Sequence, residues 1–98
     1  MVTMSELQTV GQRLKWLRQQ CEGLVLRDLQ KICGVGSAHL SKLERDALKG
    51  VEVGTLSAIC EAYGVTLDWL ARGIGKKPSG KRVRESLQRA SSLVDEAA

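Results

Sequence analysis

The sequence predicts an all-α protein: a compact domain of five short helices, followed by a C-terminal tail that is either helical or flexible. Three observations carry that prediction. Apolar residues recur at spacings of three and four along successive segments, the repeat of a single helix face. Glycines close those segments where a helix commonly ends in left-handed backbone. The 98 residues are 43% hydrophobic but only 3% aromatic, with Trp16, Tyr63, Trp69 and no Phe. That composition suits an aliphatic core between small helices and disfavours an aromatic-rich barrel. A single Pro and 27% charged residues argue against wholesale disorder.

The elements follow in order. Ser5-Glu6-Leu7-Gln8 has the pattern of a capping box, Ser at the cap and Gln three residues on. Behind it Leu7, Val10, Leu14, Leu17 and Cys21 form one face, and Gly23 ends the first helix. Trp16, one step off that face, is expected at the rim of the core. A second helix is predicted over about 25–33, with Leu26, Leu29, Ile32 and Cys33 inward and Gly34 as its stop. After the turn Val35-Gly36-Ser37, a third helix runs over about 37–45 with Leu40 and Leu43 inward. Two helices this short, joined by a three- to four-residue turn containing Gly, have helix-turn-helix spacing. The turn is too short for an antiparallel pair, so the helices cross steeply and one of them projects outward.

A fourth helix is predicted over about 53–63, through Leu56, Ile59, Cys60 and Tyr63 to the stop at Gly64. Thr66 caps a fifth, 67–72, which Gly73 stops. Residues 73–80 hold the proline and two lysines, a linker composition. The chain thus divides into a domain over 5–75 and a basic linker with an amphipathic segment over 76–98. In that segment Val83, Leu87, Ala90, Val94 and Ala97 are spaced 4, 3, 4, 3. So short a helix is marginal alone in water. It is expected either to pair between subunits through Val83, Leu87, Ala90 and Val94 or to remain a solvated tail.

The formal net charge is +4. Residues 1–75 hold nine basic and eight acidic side chains, whereas 76–98 hold six and three, so the excess sits in the tail. A basic balance is compatible with a nucleic-acid or anionic-surface partner. Cys21, Cys33 and Cys60 are an odd count without a C-x-x-C pair, which indicates neither zinc nor a disulfide framework. They read as small buried hydrophobes. His39, the only histidine, has no second ligand and no nucleophile spaced to use it. We therefore expect no metal, no cofactor and no enzymatic activity. The first residues lack the form of a signal peptide, and no apolar run approaches the ~20 residues that span a bilayer. The expectation is a cytoplasmic, nucleoid-associated protein without a membrane partner.

Several segments carry a resemblance. These are Val10-Gly11-Gln12-Arg13-Leu14-Lys15-Trp16-Leu17-Arg18, Asp28-Leu29, Gly34-Val35, Leu40-Ser41-Lys42-Leu43-Glu44-Arg45 and Ala62-Tyr63-Gly64-Val65-Thr66-Leu67-Asp68-Trp69-Leu70. In this order, within about residues 10–75, they resemble the DNA-binding domain of the Cro and phage-repressor helix-turn-helix family, the XRE family. The resemblance implies a lambda-repressor-like fold, double-stranded DNA as partner, and a repressor that binds a palindromic operator as a homodimer. The chain also departs from the family pattern. Val25 and Leu26 stand where a Ser or Thr followed by Gln is usual, Asp46 where a glycine is common, and Val51 where a proline is.

On the third helix the inward Leu40 and Leu43 leave Ser37, Ala38, Ser41, Lys42 and Arg45 on the outward arc. By the resemblance Ser37, Ala38 and Lys42 face bases, with His39 beside them. Lys42 suits guanine O6 or N7, and the Ala38 methyl suits thymine. Arg27, Ser41, Arg45 and Lys49 are the candidates for phosphate contact, which fixes register. In the family the pair at Arg18 and Glu44 often joins the first helix to the end of the third, which assigns these two to positioning. Two other functions remain open on the same scaffold. One is an antitoxin whose C-terminal segment holds a toxin. The other is a protein-interaction module, which Leu26, Ser37 and Ala38 allow. The region around Trp69 and Leu70 is the alternative dimer surface.

Overall fold

The first helix starts one turn later than its leading serine suggests. In the computed structural model, which describes residues 7–48 and 50–97 with side chains through 92, α1 spans Val10–Gln20. Its cap is Thr9: the hydroxyl accepts from Gln12 N–H at 3.1 Å, and Gln12 Oε1 accepts from Thr9 N–H at 3.2 Å. Ser5 lies outside the described residues, and Leu7 precedes the helix. Thr9-x-x-Gln12 has the same pattern as Ser5-x-x-Gln8, so local chemistry does not separate them. A contact distant in sequence does, because the Thr9 hydroxyl donates to Asp46 Oδ2 at 2.6 Å. At the other end α1 stops at Gln20, and Gly23 (φ 79°) stands in the turn beyond it.

The next four helices follow the punctuation in the sequence. They are α2 (Leu26–Cys33), α3 (Ser37–Glu44), α4 (Val53–Tyr63) and α5 (Leu67–Arg72). Gly34, Gly64 and Gly73 close α2, α4 and α5 in left-handed backbone. Thr66 caps α5 by accepting from Trp69 N–H at 3.2 Å. Neither α2 nor α3 has a capping side chain of its own at its N-terminus. For α3 the cap comes from the preceding helix, as Gln30 Oε1 accepts from Ser37 N–H at 2.8 Å across the turn.

The tail is a sixth helix, α6 (Gly80–Ala97), lying against α1, α2 and α4. Ser79 Oγ accepts from Arg82 N–H at 3.2 Å and starts it. Val83 (0% exposed) and Leu87 (7%) belong to the same buried cluster as Leu14, Leu17, Ile59, Tyr63 and Leu70. Ser86 Oγ donates to Ala62 O at 3.3 Å and the Arg84 guanidinium to Gln20 O at 3.4 Å, fastening α6 to the ends of α4 and α1. The Cα radius of gyration is 12.7 Å, close to the ~13 Å of a compact 100-residue chain. Of the residues read as an intersubunit seam, the structure places Val83 and Leu87 inside their own chain and Ala90 half-buried. The Val94 side chain lies outside the described residues. An apolar stripe unable to hold a helix in water is covered here by the body of the protein. Trp69 and Leu70 are likewise buried. Trp16 sits at the rim, with Trp69 edge-on to it at 6.1 Å between ring centres.

Candidate nucleic-acid interface

The phase of α3 is set by Leu40 and Leu43, each at most 2% exposed. Their burial turns Ala38, His39 and Lys42 fully outward, with Ser37 and Ser41 half-buried beside them. From Ser37 to Lys42 the helix advances ~7.5 Å, within the ~12 Å width of a DNA major groove. Arg27 is exposed in the first turn of α2. Arg45 is exposed beyond α3, its Nε donating to Ser41 O at 3.3 Å. Lys49 lies outside the described residues. The Ser37 N–H, a candidate phosphate donor as the opening amide of α3, is occupied by Gln30.

Two struts hold the end of α3 to α1. In the first, Arg18 grips Glu44 with a bidentate pair, Nε to Oε2 at 2.8 Å and a terminal nitrogen to Oε1 at 3.0 Å. The Glu44 side chain is only 9% exposed and that of Arg18 27%. The hydrogen bond to Glu44 raises the Arg18 pKa above its ordinary value against the opposing effect of burial. A planar fork of this kind fixes direction as well as distance.

The second strut was not read from the sequence. Asp46 adopts φ 55° just past α3, backbone that most residues avoid and Asp tolerates. Its carboxylate accepts from Gly11 N–H at 2.9 Å and from the Thr9 hydroxyl at 2.6 Å. Placed at the positive end of α1, the carboxylate offsets the backbone cost. Glu44 and Asp46, two residues apart, thus bind α1 near both of its ends, and α3 is fixed by two separated points. The only signal in the sequence was an aspartate standing where a glycine is common.

Arg13 was also missed. It is 4% exposed, and its Nε donates to Leu70 O and a terminal nitrogen to Leu7 O, both at 2.7 Å. It thereby serves a carbonyl of α5 that the helix itself leaves open. Burial pulls its pKa down, with the charge of Asp46 opposing. Burial pushes the Cys21 and Cys33 thiols upward and that of Cys60 to about 11. The Tyr63 hydroxyl, buried without a hydrogen-bond partner among the described residues, is shifted upward as well, chiefly by burial. These thiols and the phenol stay neutral near pH 7; Cys21, Cys60 and Tyr63 belong to the core, and Cys33 is half-buried against it. No helix among the described residues is long and apolar enough to cross a membrane.

The pattern of the helix-turn-helix family matches residues 14–70, more than half of the chain. The isomerizing glutamine–fructose-6-phosphate aminotransferase of Methanocaldococcus jannaschii is 30% identical over 61 residues. That stretch covers 62% of this chain and only 6% of the enzyme. No solved structure matches the chain.

Proposed function

Because this chain belongs to the helix-turn-helix family of DNA-binding transcription regulators, we propose that it is a sequence-specific repressor that binds a palindromic operator as a homodimer. The observation that supports this best is the state of α3. Its outward face carries Ala38, His39 and Lys42, while Glu44 and Asp46 tie its end to α1 at two points. A helix held at one angle can meet base edges in register, whereas a loosely attached one cannot. In this reading Ser37, Ala38, His39 and Lys42 face bases, and Arg27, Ser41, Arg45 and Lys49 contact phosphates. One small domain contacts a limited stretch of duplex, so useful affinity calls for two half-sites about one helical turn apart. Occupation of the operator blocks the promoter, and the site of action is the nucleoid.

Selection of bound sequences from random duplex DNA tests the proposal. The expected result is a palindromic consensus with half-sites about 10 base pairs apart. Failure to enrich any sequence, with no binding even at low salt, would overturn it in favour of a protein-interaction role. Within a selected site, Lys42→Ala is expected to cost about 1–3 kcal/mol and to relax preference at one position per half-site. Arg27→Ala is expected to weaken all sequences nearly equally and to reduce the salt slope by about one per subunit. The two differ because a phosphate is present at every step of the duplex and a guanine edge is not. Competition titrations against scrambled duplex at several salt concentrations separate them.

A further inference from the structure

Residues 76–90 carry Lys76, Lys77, Lys81, Arg82, Arg84 and Arg89 against one acid, Glu85. On a free linker these charges would be dispersed in solvent, but the structure holds the segment at both ends. Gly73 N–H donates to Trp69 O at 2.8 Å and Ile74 N–H to Asp68 O at 3.2 Å, closing α5. The Lys77 ammonium lies 4.4 Å from the centre of the Trp16 ring, a cation–π contact that pins the linker to α1. Ser79 then starts α6 through Arg82 N–H.

Two adjoining depressions result, and both have Gly64, Ser79 and Arg82 in their walls. Lys76 and Lys77 join Arg82 around the first, which contains no acid. Lys81 and Arg89 join it around the second, where Glu85 is the one acid. Among the described residues, no carboxylate lies within salt-bridge distance of these five cations. The first turn of α6 has no acidic residue and instead carries Lys81 and Arg82. Cations are unfavourable at this positive end of a helix, and an external anion relieves the arrangement. The surface is open, and it runs ~12 Å along α6 from Lys81 to Arg89 alone. Measured along the duplex axis, that length corresponds to about three or four phosphates of one DNA strand. An extended polyanion fits it better than a small enclosed ion.

We propose that this five-cation surface at the α5–α6 junction is a second duplex contact site, which takes DNA phosphates outside the steps read by α3. The inference rests on the reading of the chain as a DNA-binding protein. The surface reads no bases; it adds affinity and salt dependence to every duplex equally.

The test is equilibrium titration of the full chain with a selected operator and with random duplex at several salt concentrations. Wild type is compared with Lys76→Gln/Lys81→Gln/Arg82→Gln and with Lys42→Ala; Lys77 is kept because it packs on Trp16. The triple variant is expected to flatten the slope of log K against log salt by about 2–3 on both duplexes. Its operator-to-random ratio stays unchanged, and its melting temperature does not fall, since two cations leave the positive end of α6. A wild-type slope in the triple variant overturns the second site and leaves the α3 reading intact. If the wild-type protein binds no duplex even at low salt, the DNA-binding reading falls and this surface falls with it. Should the triple variant melt early, Lys76→Gln/Arg89→Gln decides by the same measure, a slope lower by about 1–2 supporting the site and an unchanged slope rejecting it.

Discussion

Replacing Val83 with aspartate is expected to destabilise the protein by about 3 kcal/mol, lowering the melting temperature by roughly 12–24 °C. Val83 is fully buried on the inner face of α6. Losing that burial costs about 1.5–3 kcal/mol, and a carboxylate left in the core adds the cost of desolvation or of protonation. The consequence extends beyond the site, because α6 covers α1, α2 and α4 and its displacement opens their apolar faces to water. Thermal melting with circular dichroism measures the effect, and fluorescence of Trp16 reports on the adjoining linker through its contact with Lys77. An unchanged melting temperature, accompanied by a shift from dimer to monomer in sedimentation, would instead put Val83 between subunits. For the same reason Leu87→Asp reports on stability and not on dimerisation, since Leu87 is buried in its own chain.

Gly11→Ala is expected to destabilise by about 2 kcal/mol, even though alanine is the better helix former by about 1 kcal/mol in a helix interior. A Cβ built at Gly11 would stand 2.6 Å from Asp46 Oδ1 and 2.6 Å from the Leu43 carbonyl oxygen. One neighbour is side chain and the other is backbone of α3, so relief requires moving the helix that carries Lys42. The variant should therefore lose operator preference as well as stability. A double-mutant cycle with Asp46→Gly separates the two obstacles. Glycine at 46 tolerates φ 55° and removes the clashing carboxylate, yet it also removes the bonds to Gly11 and Thr9. The double variant should recover only part of the loss, because the Leu43 carbonyl remains. Full recovery would mean that the backbone of α3 yields freely and that the close approach is not needed.

Much of the fold was legible because its punctuation is local. Gly34, Gly64 and Gly73 end helices by their own left-handed backbone, and Thr66 caps α5 three residues ahead of Trp69, so the limits of α4 and α5 follow from short stretches of chain. The outward face of α3 was legible for a similar reason. Leu40 and Leu43 determine which side is buried; of the arc read as outward, Ala38, Lys42 and Arg45 point away, whereas Ser37 and Ser41 are half-buried. Arg13 gave no such signal. On a helix it reads as one more surface cation, and the carbonyls of Leu70, 57 residues away, and of Leu7 make its burial tolerable. The start of α1 was read at Ser5, whereas the cap is the equivalent tetrad at Thr9, which Asp46 reaches from beyond α3.

The helical periodicity, the short turn between α2 and α3, and the buried side of α3 were legible in the sequence. All of these depend on backbone preferences and spacings within a few residues, where chemistry acts without knowledge of the rest of the chain. What covers α6, which carbonyls accept from Arg13, and how Asp46 fastens α3 to α1 came from packing between elements far apart in the chain. The stripe through Val83 and Leu87 required an apolar surface but could not specify whose, because hydrophobic burial is non-directional and is satisfied equally by a partner or by the same chain. Here the choice fell to α1, α2 and α4, which lie within reach once Gly73 has closed α5 and Lys77 has seated the linker on Trp16.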